Sequence, residues 1–328
     1  MKPYRIIGQG LAGTILSMEM ENRGIPHRII DEPQLSASSR VAAGLVNPVV
    51  LKRLRLVYEA NLFYQALPGF YRKWEQKIDT SFLHSASIQH IFQSQGEQNA
   101  WLEKSENPAF QPFLGEVIRN NDPSIQAPYG LGQTQNTYWL DTSTLLDEYR
   151  SYLMAKDRYE NGKVHTDQAN EHDIWCTGHL FRQTGLPENI FTPTRGELLL
   201  IHAEELKFQN IIHAGVFILP VGNDLFKVGS TYAWDNLSDT PTDKGRKSLE
   251  SELKKIFRGN YSVVEHWAGV RPNIRDRKPI IGKWQQSYIF NGLGSRGTML
   301  GPRLAGIFLD FLTEQKPIPA EYDISRFI

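Results

Sequence analysis

Residues 4–32 constrain the fold more than any other stretch of the chain. Tyr4-Arg5-Ile6-Ile7 is a short β-prone run that leads directly into Gly8-Gln9-Gly10-Leu11-Ala12-Gly13, a complete GxGxxG. The pattern predicts a helix over 14–23, with Leu11, Ile15, Leu16 and Met18 toward a sheet. Gly24-Ile25-Pro26 ends that helix, and 27–30 is a second β run closed by Asp31-Glu32. Strand, glycine loop, helix and strand at this length make a βαβ unit. In such a unit Gly8 permits the tight turn, Gly10 lets a pyrophosphate approach the main chain, and Gly13 lets the helix pack closely on the sheet. The helix N-terminus offers free N–H groups and a positive dipole end to the phosphates. Asp31 stands 18 residues past Gly13. There a carboxylate accepts hydrogen bonds from a ribose and disfavours a 2′-phosphate. The unit predicts a bound dinucleotide. By itself it does not separate FAD from NAD, because both carry an adenosine diphosphate half.

Composition narrows what else the chain can be. Its 328 residues allow one large domain or two modest ones, with a core that needs no covalent staples. Apolar residues at 40% and charged residues at 22% describe a globular chain. Lys plus Arg and Asp plus Glu both total 36. That neutrality argues against a nucleic-acid backbone or an anionic membrane as the main partner. The one cysteine, Cys176, excludes an internal disulfide and a multi-cysteine metal site, and it fits a reducing, cytoplasmic location. No apolar run approaches the roughly 18 residues of a membrane span. Met1-Lys2-Pro3 passes straight into the first strand, so no signal peptide is expected. The nine histidines include no HExxH pair, which leaves a histidine metal site little support.

Residues 36–48 are small, polar and glycine-bearing, suited to close approach of a ligand or to a helix cap at Ser38 or Ser39. A helical pattern over 52–77 carries Leu54, Tyr58, Leu62, Tyr64, Leu67, Tyr71 and Trp74. Its basic start, Lys52, Arg53 and Arg55, reads as a solvated face or a ligand contact. Over 85–138 short β-like runs alternate with polar turns and a brief helix at 98–104. Asp141-Thr142-Ser143 caps a helix running to Met154. A buried strand at 174–178 ends in glycine. Residues 195–201, 215–220 and 225–229 read as antiparallel strands. Then come an amphipathic helix at 244–257, strands at 263–270 and 288–291, a glycine-rich loop at 292–297, and a last helix at 298–312. A dinucleotide fold at both ends with a β-rich portion between implies two domains, each assembled from separated stretches.

Eight segments, in order, carry a family pattern. They are Gly8–Gly13 with Asp31; residues 39–45, Ser-Arg-Val-Ala-Ala-Gly-Leu; Cys176-Thr177-Gly178; Thr194-Arg195-Gly196-Glu197; Val228-Gly229-Ser230-Thr231; Trp267-Ala268-Gly269-Val270-Arg271-Pro272; Asp276 with Pro279-Ile280-Ile281-Gly282; and Gly292–Gly297. Together they span nearly the whole chain and resemble the FAD-dependent D-amino-acid-oxidase superfamily, the branch of glycine oxidase and sarcosine oxidase. The resemblance selects FAD over NAD. It implies an α/β fold: a Rossmann-like FAD-binding domain from 1–84, 139–194 and 265–328, and a second, antiparallel-sheet substrate domain from 85–138 and 195–264. It also implies that Gly8, Gly10, Leu11, Ala12, Gly13, Asp31 and Glu32 hold the adenosine and pyrophosphate, with Cys176, Thr177 and Gly178 alongside. Ser39, Arg40, Ala43, Gly44 and Leu45 would run past the flavin. Gly294, Ser295, Gly297, Thr298 and Met299 would lie along its pyrimidine edge, where the helix starting near Thr298 stabilises the charge of the reduced ring. No cysteine lies near Arg271 or Arg296, where sarcosine oxidases attach flavin, so the FAD is expected to be noncovalent. The segment at 155–173 is short for the family, which leaves the adenine more exposed.

The resemblance also implies the substrate chemistry. Arg271 ends an apolar strand and presents a planar five-donor fork that grips a carboxylate bidentately. A structural ion pair is the alternative. Arg296 sits in the flavin loop, where some relatives have a second substrate-touching arginine. Tyr232 and Phe217 fall where the family lines its pocket, or are simply core. Phe217 stands where glycine oxidase has a tyrosine, which points to a less polar pocket. The expected reaction passes a hydride from the carbon beside an amine to flavin N5, giving an imine that water hydrolyses. The electron acceptor, oxygen or another, is left open. Two other readings remain: a flavin oxidoreductase acting on a carboxymethylaminomethyl-uridine in tRNA, which zero net charge and the lack of a methyltransferase domain disfavour, and a flavin-binding protein without turnover.

Overall fold

The computed structural model describes residues 2–32, 38–183 and 185–328. Ser36 and Ala37, the start of the small-residue segment, lie outside them. The described α-helices are α1 (Leu11–Asn22), α2 (Ala60–Ile78), α3 (Gln95–Ser105), α4 (Thr142–Met154), α5 (Asp243–Ile256) and α6 (Gly297–Glu314).

One six-stranded sheet runs Tyr159–Asn161, His27–Asp31, Tyr4–Ile7, Asp173–Trp175, Ser287–Asn291, Ile280–Trp284. Its first five strands are parallel and the last is antiparallel. Helices α1, α2, α4 and α6 share a core with this sheet, built on Ile6, Ile15, Met18, Leu304 and Phe308. The first βαβ unit and the final strand–loop–helix therefore sit side by side, although some 270 residues separate them. Their strands end at the glycine loops 8–13 and 292–297, the end at which open α/β sheets take ligands.

An eight-stranded sheet runs Ser262–Arg271, Thr194–His202, Leu225–Gly229, Val216–Gly222, Ile211–Ala214, Ile88–Ile91, Leu131–Thr134, Leu114–Ile118. It is antiparallel except where Ile211–Ala214 meets Ile88–Ile91. One face packs on α5 through Leu199, Ile201, Val228, Leu249 and Leu253. The other face, with Leu198, Phe217 and Leu219, meets Ala43, Leu45 and Trp139. That second face is the floor of the site.

Three helices depart from expectation. Helix α1 starts at Leu11, three residues before the sequence reading, because Gly10 takes the extended N-cap conformation and its carbonyl accepts from Thr14 N–H at 3.0 Å. The helix expected over 52–77 begins only at Ala60. Leu54 (φ 40°) and Glu59 (φ 51°) are left-handed and break the helical run. Lys52 and Arg53 instead sit in a 3₁₀ turn, and Arg55 in a two-residue hairpin strand. The apolar period misled because Leu54, Leu56 and Val57 bury against the same core as Ala60 and Tyr64 without being helical. Helix α3 runs earlier than 98–104, since Ser94 Oγ caps it by accepting from Glu97 N–H at 3.2 Å.

Helix α6 contains Pro302, which cannot donate to the Thr298 carbonyl one turn back. The fully buried Tyr71 hydroxyl fills that gap, donating to Thr298 O at 2.9 Å. Tyr71→Phe therefore leaves a buried carbonyl without a donor at the first turn of α6. A destabilisation of about 1–3 kcal/mol is expected in urea unfolding of the FAD-bound protein. An unchanged midpoint would show that water or another donor replaces the phenol.

Candidate active site

Two cavities join at the glycine loops. The smaller, about 480 Å³, is lined by Gly8, Gly10, Leu11, Ala12, Asp31, Glu32, Ser39, Arg40, Cys176, Thr177 and Gly178. The larger, about 1060 Å³, is lined by Ala43, Gly44, Leu45, Phe217, Tyr232, Arg271, Ser295, Arg296, Thr298 and Met299. Leu11, Ser38, Ser39, Gly294 and Gly297 belong to both walls. Of the cofactor and substrate residues implied by the resemblance, Gly13 alone lines neither; Arg55, the possible ligand contact of the basic turn, lines neither as well. A Cβ at Gly13 would overlap the Gly8 carbonyl oxygen, so Gly13 is the point where α1 rests on the strand before it.

In the smaller cavity the Asp31 carboxylate is held from three directions. Oδ1 accepts from Gln9 N–H at 2.9 Å, and Oδ2 from Arg150 Nη2 and the Tyr159 hydroxyl, both at 3.3 Å. Arg150 in turn donates to Gln9 Oε1 at 2.5 Å and lies over the Tyr159 ring. Burial and the Asp31 charge push the Tyr159 phenol up to about 12, so it remains a donor at neutral pH. Ser39 Oγ accepts from Leu11 N–H at 3.0 Å, which ties the small-residue segment to the N-terminus of α1. Arg40 is ion-paired with Asp147 at 2.6 Å. Burial pushes the Cys176 thiol far up, so it is a neutral core group. The Thr177 Oγ1 atom is buried without a hydrogen-bond partner, an orphan on the cavity wall that a bound polar group would satisfy.

The larger cavity brings two arginines together. Arg271 ends the strand Ser262–Arg271, and its guanidinium lies across Gly196 of the neighbouring strand, where a Cβ would collide with it. Nη2 donates to Ser230 Oγ at 2.8 Å and Nη1 to Thr231 O at 3.3 Å, and the group stacks over the Tyr232 ring at 4.3 Å. Arg296 Nη1 donates to the Asn47 carbonyl at 2.9 Å. Burial holds both guanidinium groups below the ordinary arginine value, and neither has a carboxylate within 4 Å among the described residues. By contrast, the neighbouring Arg195 is spent on structure. It pairs with buried Glu197 at 3.0 Å, and Glu197 accepts from Thr242 N–H and Oγ1, tying the first turn of α5 to the sheet. Phe217 is buried, whereas Tyr232 is exposed at the rim.

Residues 4–310 match the family described as DAO, FAD dependent oxidoreductase. The chain belongs to that family. Its cofactor is FAD. The cleft fits the group: the glycine loop, the Asp31 carboxylate and the unpartnered Thr177 hydroxyl line one chamber, and a roomier second chamber adjoins it. A bifunctional ThiO/ThiG protein of Trichormus variabilis is 24% identical over 98% of this chain, which spans only 54% of that protein's length. Glycine oxidase of Pseudomonas aeruginosa is 26% identical over 97% of both chains. Iminodiacetate oxidase of Chelativorans sp. superposes with a TM-score of 0.78 at 16% identity, covering 98% of each chain, a likeness of fold. Among the described residues no helix is long and apolar enough to cross a membrane, and no group of three or more His, Cys, Asp or Glu could hold a metal.

Several wall residues escaped the sequence reading. Gln9 and Arg150, which fix Asp31, lie in the variable positions of the motif and in mid-helix α4, where only tertiary contact reveals them. Ser230 was within a family segment but its bond to Arg271 depends on strand pairing. His90 and His213 line the larger cavity and had no motif at all.

Proposed function

We propose that the protein oxidises the C–N bond of a small amino acid or N-substituted amino acid. The observation that carries this is the half-buried, acid-free guanidinium of Arg271, facing a cavity from the end of a rigid strand. A cation there lacks its anion, and a substrate carboxylate supplies one. FAD, when bound, would supply the acceptor for the hydride removed from the carbon beside the amine.

The chain's own residues orient and insulate. Gly8, Gly10, Ala12 and Asp31 would hold the adenosine diphosphate, and residues 43–45 and 294–299 would flank the flavin. The first-turn N–H groups of α6, at Thr298 and Met299, have no helical acceptors and favour negative charge beside them. Arg271 would fix the carboxylate, which sets the α-carbon, and Phe217 would keep the pocket floor dry. Tyr232 would support the guanidinium by stacking. No acid–base side chain is assigned, because a neutral amine drives its own C–H cleavage once positioned. The FAD-binding part would comprise 1–84, 139–194 and 265–328, and the substrate part 85–138 and 195–264.

The test is the visible spectrum of purified protein, followed by anaerobic titration with amino and N-methyl amino acids. We expect a yellow protein whose colour leaves on acid precipitation and whose flavin is bleached by at least one such amine. Reoxidation by air, or only by an added acceptor, then separates oxidase from dehydrogenase. A flavin that no carboxylate-bearing amine bleaches would overturn the reading.

A further inference from the structure

A single row of residues crosses the eight-stranded sheet beneath the larger cavity. Strand pairing aligns Leu198, Gly229, Phe217, His213 and His90 on five successive strands, with their side chains on one face. All five line the cavity. Arg271 stands at one end of this row, laid over Gly196 on the same strand as Leu198. Strands spaced by about 4.8 Å put His213 about 14 Å across the sheet from that strand. The buried part of the intervening wall is apolar: Ile88, Ile211 and Phe217, with Leu51 from the turn that replaced the expected helix, whose Lys52 and Arg53 also line the cavity from exposed positions. A two-carbon amino acid held at Arg271 spans only about one Cα–Cα step, about 3.8 Å, and leaves this arm unused.

The far end of the arm is polar and fixed. His90 and His213 approach with their Nδ1 atoms 3.0 Å apart, so one donates and the other accepts. The His90 ring is stacked on Trp101 and meets Phe92 edge-on. Burial, with the neighbouring His90, holds His213 down to about 3, and burial lowers His90 as well, so the pair is neutral at physiological pH. The two Nδ1 atoms engage each other, and both rings line the cavity. The charged Glu97 and Lys104 lie farther out, on the α3 side of the cavity.

We propose that the arm from Phe217 to the His213–His90 pair is a distal substrate subsite. The substrate is then an amino acid or N-substituted amino acid whose apolar chain ends in an uncharged hydrogen-bonding group, on the order of 10–15 Å from its carboxylate. This rests on the reading that Arg271 holds the carboxylate. Neutral imidazoles offer a donor and an acceptor to an amide or hydroxyl, and no countercharge to an ion.

The test is anaerobic spectral titration of the FAD-bound protein with N-alkylglycines of increasing length, ending either in methyl or in carboxamide. The dissociation constant is expected to fall by at least about ten-fold as the chain reaches the imidazoles, with the carboxamide tighter than the methyl at equal length. In His213→Leu that carboxamide preference shrinks toward unity; His90→Gln serves as a second variant if the first folds poorly. The length series itself needs no variant. A dissociation constant that rises or stays flat with length overturns the subsite. A carboxamide preference that is absent, or that survives both variants, overturns the role of the imidazoles. Short ligands binding while long ones do not would remove the subsite and leave the Arg271 clamp standing. If no carboxylate-bearing ligand perturbs the flavin spectrum, the clamp falls and the subsite falls with it.

Discussion

Arg271→Ala is expected to purify yellow and to bind simple carboxylates at least about 30-fold more weakly than the parent, the lower end of the roughly 2–5 kcal/mol lost when one partner of a buried charge pair is truncated. The flavin should stay because the guanidinium makes its hydrogen bonds to Ser230 and Thr231, not to the glycine loop or Asp31. The ligand should weaken because Arg271 is the guanidinium held at the strand end, laid over Gly196 of the sheet. Arg296 is committed to the Asn47 carbonyl, and Tyr232 contributes a ring face. Arg271→Lys sharpens the argument. It keeps the charge and discards the planar pair of donors, so it should recover part of the affinity and little of the turnover. The measurement is spectral titration of the FAD-bound variants with a small aliphatic or aromatic carboxylate. Parent-like affinity in Arg271→Ala would mean that the guanidinium is a structural prop for the 230–232 turn and that the substrate is oriented elsewhere.

The Arg271 result also bears on why a glycine sits opposite. Gly196 lies between Arg195 and Glu197, which are locked into a buried ion pair on the far side of the same strand. Successive residues of a strand face opposite ways. The motif Thr194-Arg195-Gly196-Glu197 thus serves two purposes at once: its charged residues fasten α5, and its glycine clears the space the Arg271 guanidinium occupies.

What the sequence disclosed, and what it hid, follows from the range of the interactions involved. The βαβ unit was legible because turn, phosphate approach and helix packing are each decided within a few residues of Gly8, Gly10 and Gly13. The strand carrying Arg271 was legible for the same reason, as an apolar run ending in a charge. The start of α2 was not, because Leu54 and Glu59 adopt left-handed backbone that side-chain periodicity does not encode, while their apolar neighbours bury as if helical. The acid-fixing pair Gln9 and Arg150 was hidden by separation, 141 positions apart in the chain and joined by one hydrogen bond. The His90–His213 pair was hidden further. It exists only because two distant strands pair in parallel, in a register that no local signal sets.

Two glycines of one motif should fail in different ways. At Gly13 an added side chain meets the Gly8 carbonyl oxygen of the backbone first, then the Ile6 side chain at Cγ2. Neither can step aside without moving α1 off the sheet, so Gly13→Val is expected to lower stability by about 3 kcal/mol, the upper end of what overpacking does where neighbours cannot yield. Flavin should be lost with it, because the helix N-terminus no longer points where the loop does. At Gly10 the nearest atom to an added Cβ is Ser39 Oγ at 3.4 Å, a side chain in ordinary contact range. The fold has room for Gly10→Ala, but the new methyl stands in the smaller cavity where the pyrophosphate would pass. That variant should melt close to the parent when FAD is in excess and should lose flavin on gel filtration. The pair of measurements, melting temperature in saturating FAD and flavin retained after desalting, separates a glycine that packs from a glycine that makes way. Were Gly13→Val to purify yellow with an unchanged melting temperature, α1 would have to reach the phosphates by some route other than contact with Gly8. Were Gly10→Ala to hold its flavin as tightly as the parent, the nucleotide would not approach the main chain at that residue.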